Sequence, residues 1–409
     1  MASSCALLAD RTRADRSSRA VTLDTARIER IRKTTAGLVV HFLGNARGVL
    51  YPWWWLADHG EDEHHRNPDS LQRTNDTFAI PGNIRPTAAA LDASRKRVGV
   101  KWVDGPPTMH SASQLFRVAA QSRRLDRPPV TRLKRPPSQP GVSLWSTPAP
   151  EEAVRRFDYS KAIRGEDTTA EMLRSLWQWG FVVLDGVPPG RAPVKEIAGQ
   201  FGYVRQTIFG GVWNLAADVT DHLDSAYDTT YLAPHTDGTY SHDGPGLQLF
   251  ACQERLGTGG DSILVDGFAA AARLFDAHPH HVDVLSRAAV MGQYVEPGVS
   301  LVAERPPLRF DSQGHLVQVT FNNDDRAPFM IRPTEDAEAL RDAYAALHSV
   351  LDDPSCRTHI SWEPGQTLVF DNWRVLHGRT GFDGRRRFFG CYTNHEDLSS
   401  RLRQLELIR

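Results

Sequence analysis

Cysteine is scarce in this chain. Its 409 residues hold four, Cys5, Cys252, Cys356 and Cys391, with no CxxC and no paired spacing. That pattern argues against a disulfide framework and a cysteine zinc site, and it suits a reducing, cytoplasmic compartment. No apolar run approaches the length that spans a bilayer. Neither sign of charge prevails: the net charge is -1, which leaves no footprint for nucleic acid or a membrane surface. What remains is ordinary for a globular protein, with 40% hydrophobic and 24% charged residues.

The length admits two domains. Residues 1–20 carry Arg13, Arg16 and Arg19 among serines, but Asp10 and Asp15 fit a disordered tail better than a transit peptide. Residues 21–130 read as a small β-rich N-terminal domain. Leu38 to Phe42 suits a strand, and Val98, Val100 and Trp102 alternate before a turn at Asp104-Gly105. Three tryptophans, Trp53 to Trp55, cannot all face one way. The Pro-, Arg- and Ser-rich stretch at 131–150 reads as a linker.

Residues 151–409 read as the second domain. Met172, Leu173, Leu176 and Trp177 fall at helical spacing and Gly180 stops that helix. A strand at Phe181–Leu184 and a helix near 193–201 follow. Short strands are expected from 203 to 330, then one long amphipathic helix near 334–351, then strands at Thr367–Phe370 and Arg386–Thr393. The expected class is mostly β with flanking helices (α+β), built as an antiparallel double-sheet barrel of the jelly-roll kind.

Within this domain His235 and Asp237 stand two apart, the spacing that puts both on one face of an extended strand. An imidazole and a carboxylate so held are two of the three ligands of a facial-triad iron site. The pattern arises often by chance, so it needs companions. His377, near the end of an apolar strand and followed by glycine, is the candidate third ligand, although a lone histidine there is more often part of a core. Alternation puts Arg386, Phe388, Gly390 and Tyr392 on one face. A guanidinium aimed into a barrel can hold a carboxylate in bidentate fashion.

These residues sit in motifs that resemble a known family. The motifs are Ala226-Tyr227, Pro234-His235-Thr236-Asp237, Gly257 to Ser262, Val265-Asp266-Gly267-Phe268, Phe321-Asn322-Asn323 and Phe370 to Arg379. In order and spacing the chain resembles the Fe(II)- and 2-oxoglutarate-dependent oxygenases of the taurine-dioxygenase superfamily. Within it, the chain is most similar to the γ-butyrobetaine and trimethyllysine hydroxylases, over about residues 150–409, and closest to the latter. The resemblance implies that His235, Asp237 and His377 bind Fe(II). It implies that Arg386, helped by Ser262, holds the distal carboxylate of 2-oxoglutarate. O2 is the second co-substrate, and succinate and CO2 are released.

The same resemblance gives the substrate side. These hydroxylases enclose a trimethylammonium group in aromatic rings, and the matching positions are Phe209, Trp213, Tyr227 and Tyr392. Asp224 falls where trimethyllysine hydroxylases carry an acidic residue. Asn322 and Asn323 match a substrate-contacting pair. The implied partner is a small cationic amino acid such as N6-trimethyllysine or a betaine-like analogue.

Two departures stand out. Phe209 replaces the usual cage tyrosine. The accessory domain echoes the family in Trp55-Leu56-Ala57-Asp58, but Gly60, Asp62 and His65 stand where it places cysteines, and Pro106 sits near its distal histidine. No structural zinc is expected. Whether Asp62, His64 and His65 take another metal stays open, and so does a homodimer. The alternatives are a biosynthetic tailoring oxygenase acting on another amino acid or amine, or a catalytically inactive cation-binding module.

Overall fold

The computed structural model describes residues 26–45, 47–122, 132–146, 149–216 and 228–408. The expected N-terminal tail lies outside them. The fold is mixed, with many strands and fewer helices. Contacts divide the chain into two units, one of Met1–Asp62 with Ile80–Gln121, the other of Glu63–Ala79 with Ser122–Arg409.

The first unit holds two three-stranded antiparallel sheets, Ile28–Lys33 with Gly37–Phe42 and Val49–Pro52, and Pro86–Leu91 with Arg97–Trp102 and Thr108–Ser111. The tryptophan run forms a short helix, Trp53–Asp58, that buries Trp53 and Trp55.

Two larger sheets organise the second unit. One orders six strands, Arg156–Asp158, Phe181–Asp185, Thr367–Asp371, Leu247–Gly259, Phe382–Thr393 and Val212–Ala216; the other orders Leu232–His235, Val375–Arg379, Ser262–Asp266 and Thr358–Ile360. All their ladders are antiparallel except the first pair. The six-stranded sheet is covered on both faces, which is why Phe181–Leu184 is uniformly apolar rather than alternating. Val182 and Leu184 join Leu173, Leu176, Ile197 and Leu402 of the helices Glu166–Trp179, Arg191–Phe201 and His395–Gln404. Phe181 and Val183 face the other way, into a core with Leu264, Val375, Trp362 and Phe388. Gly180 ends the first of these helices in a left-handed conformation, φ 84°, which only glycine adopts without strain.

The long helix is Thr334–Leu351, burying Leu340, Ala343, Tyr344, Leu347 and Leu351. Strands do fill most of 203–330, from Val212–Ala216 to Leu316–Val319, but two helices, Gly267–Ala277 and Pro279–Arg287, interrupt them. Their cause is local. Asp266 accepts from the backbone N–H groups of Phe268 and Ala269, a cap for the alanine run that follows.

Asp266 also anchors the strand that carries His377. Arg374 donates to both of its carboxylate oxygens, at 3.2 and 2.9 Å, and to the carbonyls of Trp177, Gln178 and Ser143. Both side chains are buried, 3% and 0% exposed. Removing one partner of a buried pair strands the other. Arg374→Ala is therefore expected to destabilise the fold by about 3–5 kcal/mol, read from the urea midpoint. A loss below about 1 kcal/mol would contradict this role.

Candidate active site

His235 and His377 are register partners across the antiparallel strands Leu232–His235 and Val375–Arg379. Their ring centroids lie 4.4 Å apart. Asp237 Oδ1 lies 3.3 Å from Nε2 of His235 and 3.8 Å from Nε2 of His377. Among the described residues these three form the only group whose ligating atoms converge, all within 4.8 Å of one another.

The local chain explains the convergence. The strand ends at His235, so Asp237 is not on it as the two-residue spacing suggests. Asn372 brackets Asp237 instead. Its Oδ1 accepts from the Asp237 N–H at 2.8 Å, and its Nδ2 donates to the carbonyls of Asp237 and Pro245. The chain then turns at Gly238, φ 69°. A Cβ there would meet Pro245 Cδ at 2.5 Å. Thr236 points away, and its hydroxyl accepts from the Phe321 N–H at 2.9 Å. His235 Nδ1 lies 2.8 Å from the Ala233 carbonyl, which places a proton on Nδ1 and turns Nε2 toward Asp237.

The outer oxygen of Asp237 is held from the six-stranded sheet. Gln248 Nε2 and the Tyr392 hydroxyl both donate to Oδ2, each at 2.7 Å. Gln248 and Tyr392 are themselves cross-strand partners. Burial would raise the Asp237 carboxyl, but the charges of His377 and His235 and the Tyr392 hydrogen bond hold it well below the usual carboxylate range. Burial would lower His235, but the hydrogen bond and charge of Asp237 prevail and raise it to about 9. His377 is pushed down to about 3, by burial and then by the charge of His235.

Arg386 faces the same cavity. Its guanidinium lies over the rings of Phe388 at 4.3 Å and Phe382 at 5.6 Å. Its buried Nε has no hydrogen-bond partner, and no carboxylate among the described residues pairs with it. Arg255, opposite it in the ladder, is by contrast matched by Asp261 at 2.8 Å. Burial, then the charge of Arg379, lowers Arg386 to about 9. Ser262, also on the cavity, accepts from Trp362 Nε1 at 3.1 Å, which leaves its own proton to give. An unpaired guanidinium beside a free hydroxyl donor fits a carboxylate ligand. Two imidazoles and one carboxylate with open positions fit iron.

Phe209, Trp213, Asn322 and Tyr392 line this cavity with the residues above. Trp213 and Tyr392 have ring centroids 5.5 Å apart. Phe209 and Tyr294 meet in a T-shaped pair, their ring centroids 5.6 Å apart. Asn323 lines a neighbouring cavity, where its amide bonds Thr77 and its oxygen accepts from Arg326. Asp224 and Tyr227 lie outside the described residues.

Several lining residues escaped the sequence reading: Gln72, Tyr240, Gln248, Asp324, Asp325 and Arg379. Gln248 had a signal, as one polar residue inside the apolar run Leu247–Cys252. Gln72 and Asp324 had none, because tertiary structure brings residues 63–79 onto the loop after Phe321. Arg66 and Arg73 both donate to the Arg326 carbonyl, and Gln72 Nε2 donates to Asp325 Oδ1 at 3.1 Å.

Known proteins resemble the chain over most of its length. The model of the taurine catabolism dioxygenase TauD, TfdA family matches residues 145–392. A trimethyllysine dioxygenase of Meyerozyma guilliermondii is 30% identical over 365 residues, covering 87% of this chain and 90% of its own. The chain belongs to this dioxygenase family. The mitochondrial trimethyllysine dioxygenase of Homo sapiens is 28% identical, covering 88% of this chain and 83% of its own. The gamma-butyrobetaine dioxygenase of Pongo abelii is 27% identical, covering 87% and 91%.

Gly390 is what lets this family member seat Trp213. A Cβ at Gly390 would meet the indole at 2.0 to 2.5 Å. Gly390→Ala is expected to push the ring out of the cavity wall and to cost about 1–3 kcal/mol in overpacking. Chemical denaturation gives the energy and a crystal structure of the variant gives the ring position; an unmoved Trp213 at unchanged stability would contradict it.

Proposed function

We propose that the chain is an Fe(II)- and 2-oxoglutarate-dependent dioxygenase that hydroxylates an unactivated C–H of a small cationic amino acid, with N6-trimethyllysine as the reference substrate. One observation carries the reading: three convergent ligands and an unpaired guanidinium face a single cavity lined by Phe209 and by rings of the six-stranded sheet. Membership of the dioxygenase family and the trimethyllysine dioxygenase relatives support it. On this reading the two large sheets are the halves of a double-stranded β-helix. Among the described residues no helix is long and apolar enough to cross a membrane, and we assign a cytoplasmic location on the scattered cysteines.

His235, Asp237 and His377 would hold the iron, and Arg386 with Ser262 the distal carboxylate of 2-oxoglutarate. Bound iron and keto acid supply O2 activation, with release of succinate and CO2. The protein supplies orientation and a dry site. Gln248 and Tyr392 fix Asp237 so that Oδ1 alone faces the two imidazoles. Arg386, desolvated against two phenyl rings, interacts more strongly with a carboxylate than it would in water. Phe209, Trp213 and Tyr392 present ring faces, which attract a quaternary cation that cannot donate a hydrogen bond. The resemblance adds Asp224 and Tyr227 to this wall, and Asn322 and Asn323 to the substrate's polar end.

Purified protein given Fe(II), 2-oxoglutarate, O2 and N6-trimethyllysine is expected to form succinate together with a product heavier by one oxygen. Succinate that responds only to some other amine would move the chain to the tailoring oxygenases. No substrate-dependent succinate across a panel of quaternary and cationic amino acids would overturn the assignment.

A further inference from the structure

The polar side chains of the loop Asn322–Arg326 are bonded within the loop or to residues 72–77, with one exception. Asn322 Oδ1 accepts from the backbone N–H groups of Asp324 and Asp325, at 3.0 and 3.3 Å. Asn322 Nδ2 donates to Asp325 Oδ2 at 2.9 Å, and Gln72 occupies Asp325 Oδ1. The backbone is pinned as well, since the Arg73 N–H donates to the Asp324 carbonyl at 2.9 Å. Only the Asp324 carboxylate is left. It has no hydrogen-bond or ion-pair partner among the described residues, and it lines both the cavity of the three ligands and the neighbouring one. Both cavities also include His235 and Asn322.

A carboxylate withdrawn from bulk water without a partner is costly, and a rigid loop that presents one to a ligand cavity is built for a cationic donor. The aromatic wall cannot be the reason for it. Ring faces suit a quaternary ammonium, which has no proton to give, whereas a primary ammonium carries three donors and needs an acceptor. Phe209, Trp213 and Tyr392 and the carboxylate of Asp324 therefore serve different cations.

Resting on the substrate reading above, we infer that Asp324 accepts the α-ammonium group of the substrate, so that the site takes an amino acid in preference to a betaine lacking that group. Asp324 is a specificity-determining residue on this account, and Gln72 acts through Asp325 to position the loop that holds it.

Anaerobic calorimetry on the Fe(II)- and 2-oxoglutarate-loaded protein tests this with two ligands, N6-trimethyllysine and its des-amino analogue 6-(trimethylammonio)hexanoate. The wild type is expected to bind the amino acid at least about tenfold more tightly, the size of one charged hydrogen bond. In Asp324→Asn that ratio is expected to fall to about one. Equal affinities in the wild type, or a ratio retained by the variant, would overturn the inference and leave the hydroxylase reading standing. A wild type that binds neither ligand overturns both. Should the variant not fold, Nα-acetyl-N6-trimethyllysine carries the same test on the wild type. It removes the α charge and keeps the carboxylate, and binding within about threefold of the parent amino acid would sink the assignment.

Discussion

The site depends on how the carboxylate of Asp237 is held. Two donors from neighbouring strands, Gln248 and Tyr392, take one oxygen and leave the other facing both imidazoles. Neither sheet could do this alone. The four-stranded sheet brings His235 and His377 together through its register, and the six-stranded sheet supplies the donors and Arg386. Tyr392 joins the two halves of the chemistry, because its hydroxyl bonds Asp237 while its ring forms part of the wall beside Trp213.

Around that carboxylate the cavity is electrically polarised. Arg379 and Arg386 lie on the strands Val375–Arg379 and Phe382–Thr393, whereas Asp324 and Asp325 come from the loop braced by residues 65–78. Arg379 is tied to the carbonyls of Asp228 and Thr230, so among the described residues that line the cavity Arg386 is the cation left for a ligand. The buried pair of Arg374 and Asp266 keeps the strand bearing His377 in place behind the site.

Much of this was readable along the chain wherever the determinant is local. Helical periodicity and Gly180 marked the helix Glu166–Trp179, and alternation put Arg386 and Tyr392 on one face. The spacing of His235 and Asp237 was legible, but its geometry was not: Asp237 sits beyond the strand end, placed by Asn372, which is 135 residues away. Gln72 and Asp324 left no trace in the sequence, since their positions depend on contacts such as the bond from Gln72 to Asp325, 253 residues apart. The strands expected from 203 to 330 are present, but the helices Gly267–Ala277 and Pro279–Arg287 among them were missed, although a capping Asp266 and an alanine run signal the first.

The central claim is that Asp237, pinned by Tyr392, is an iron ligand. The most direct measurement is anaerobic Fe(II) titration of the wild type and of Tyr392→Phe, which keeps the ring and removes the hydroxyl. The account predicts one iron per chain in the wild type and an affinity about tenfold weaker in the variant. A wild type that binds no Fe(II), or a variant that binds it just as tightly, would contradict it.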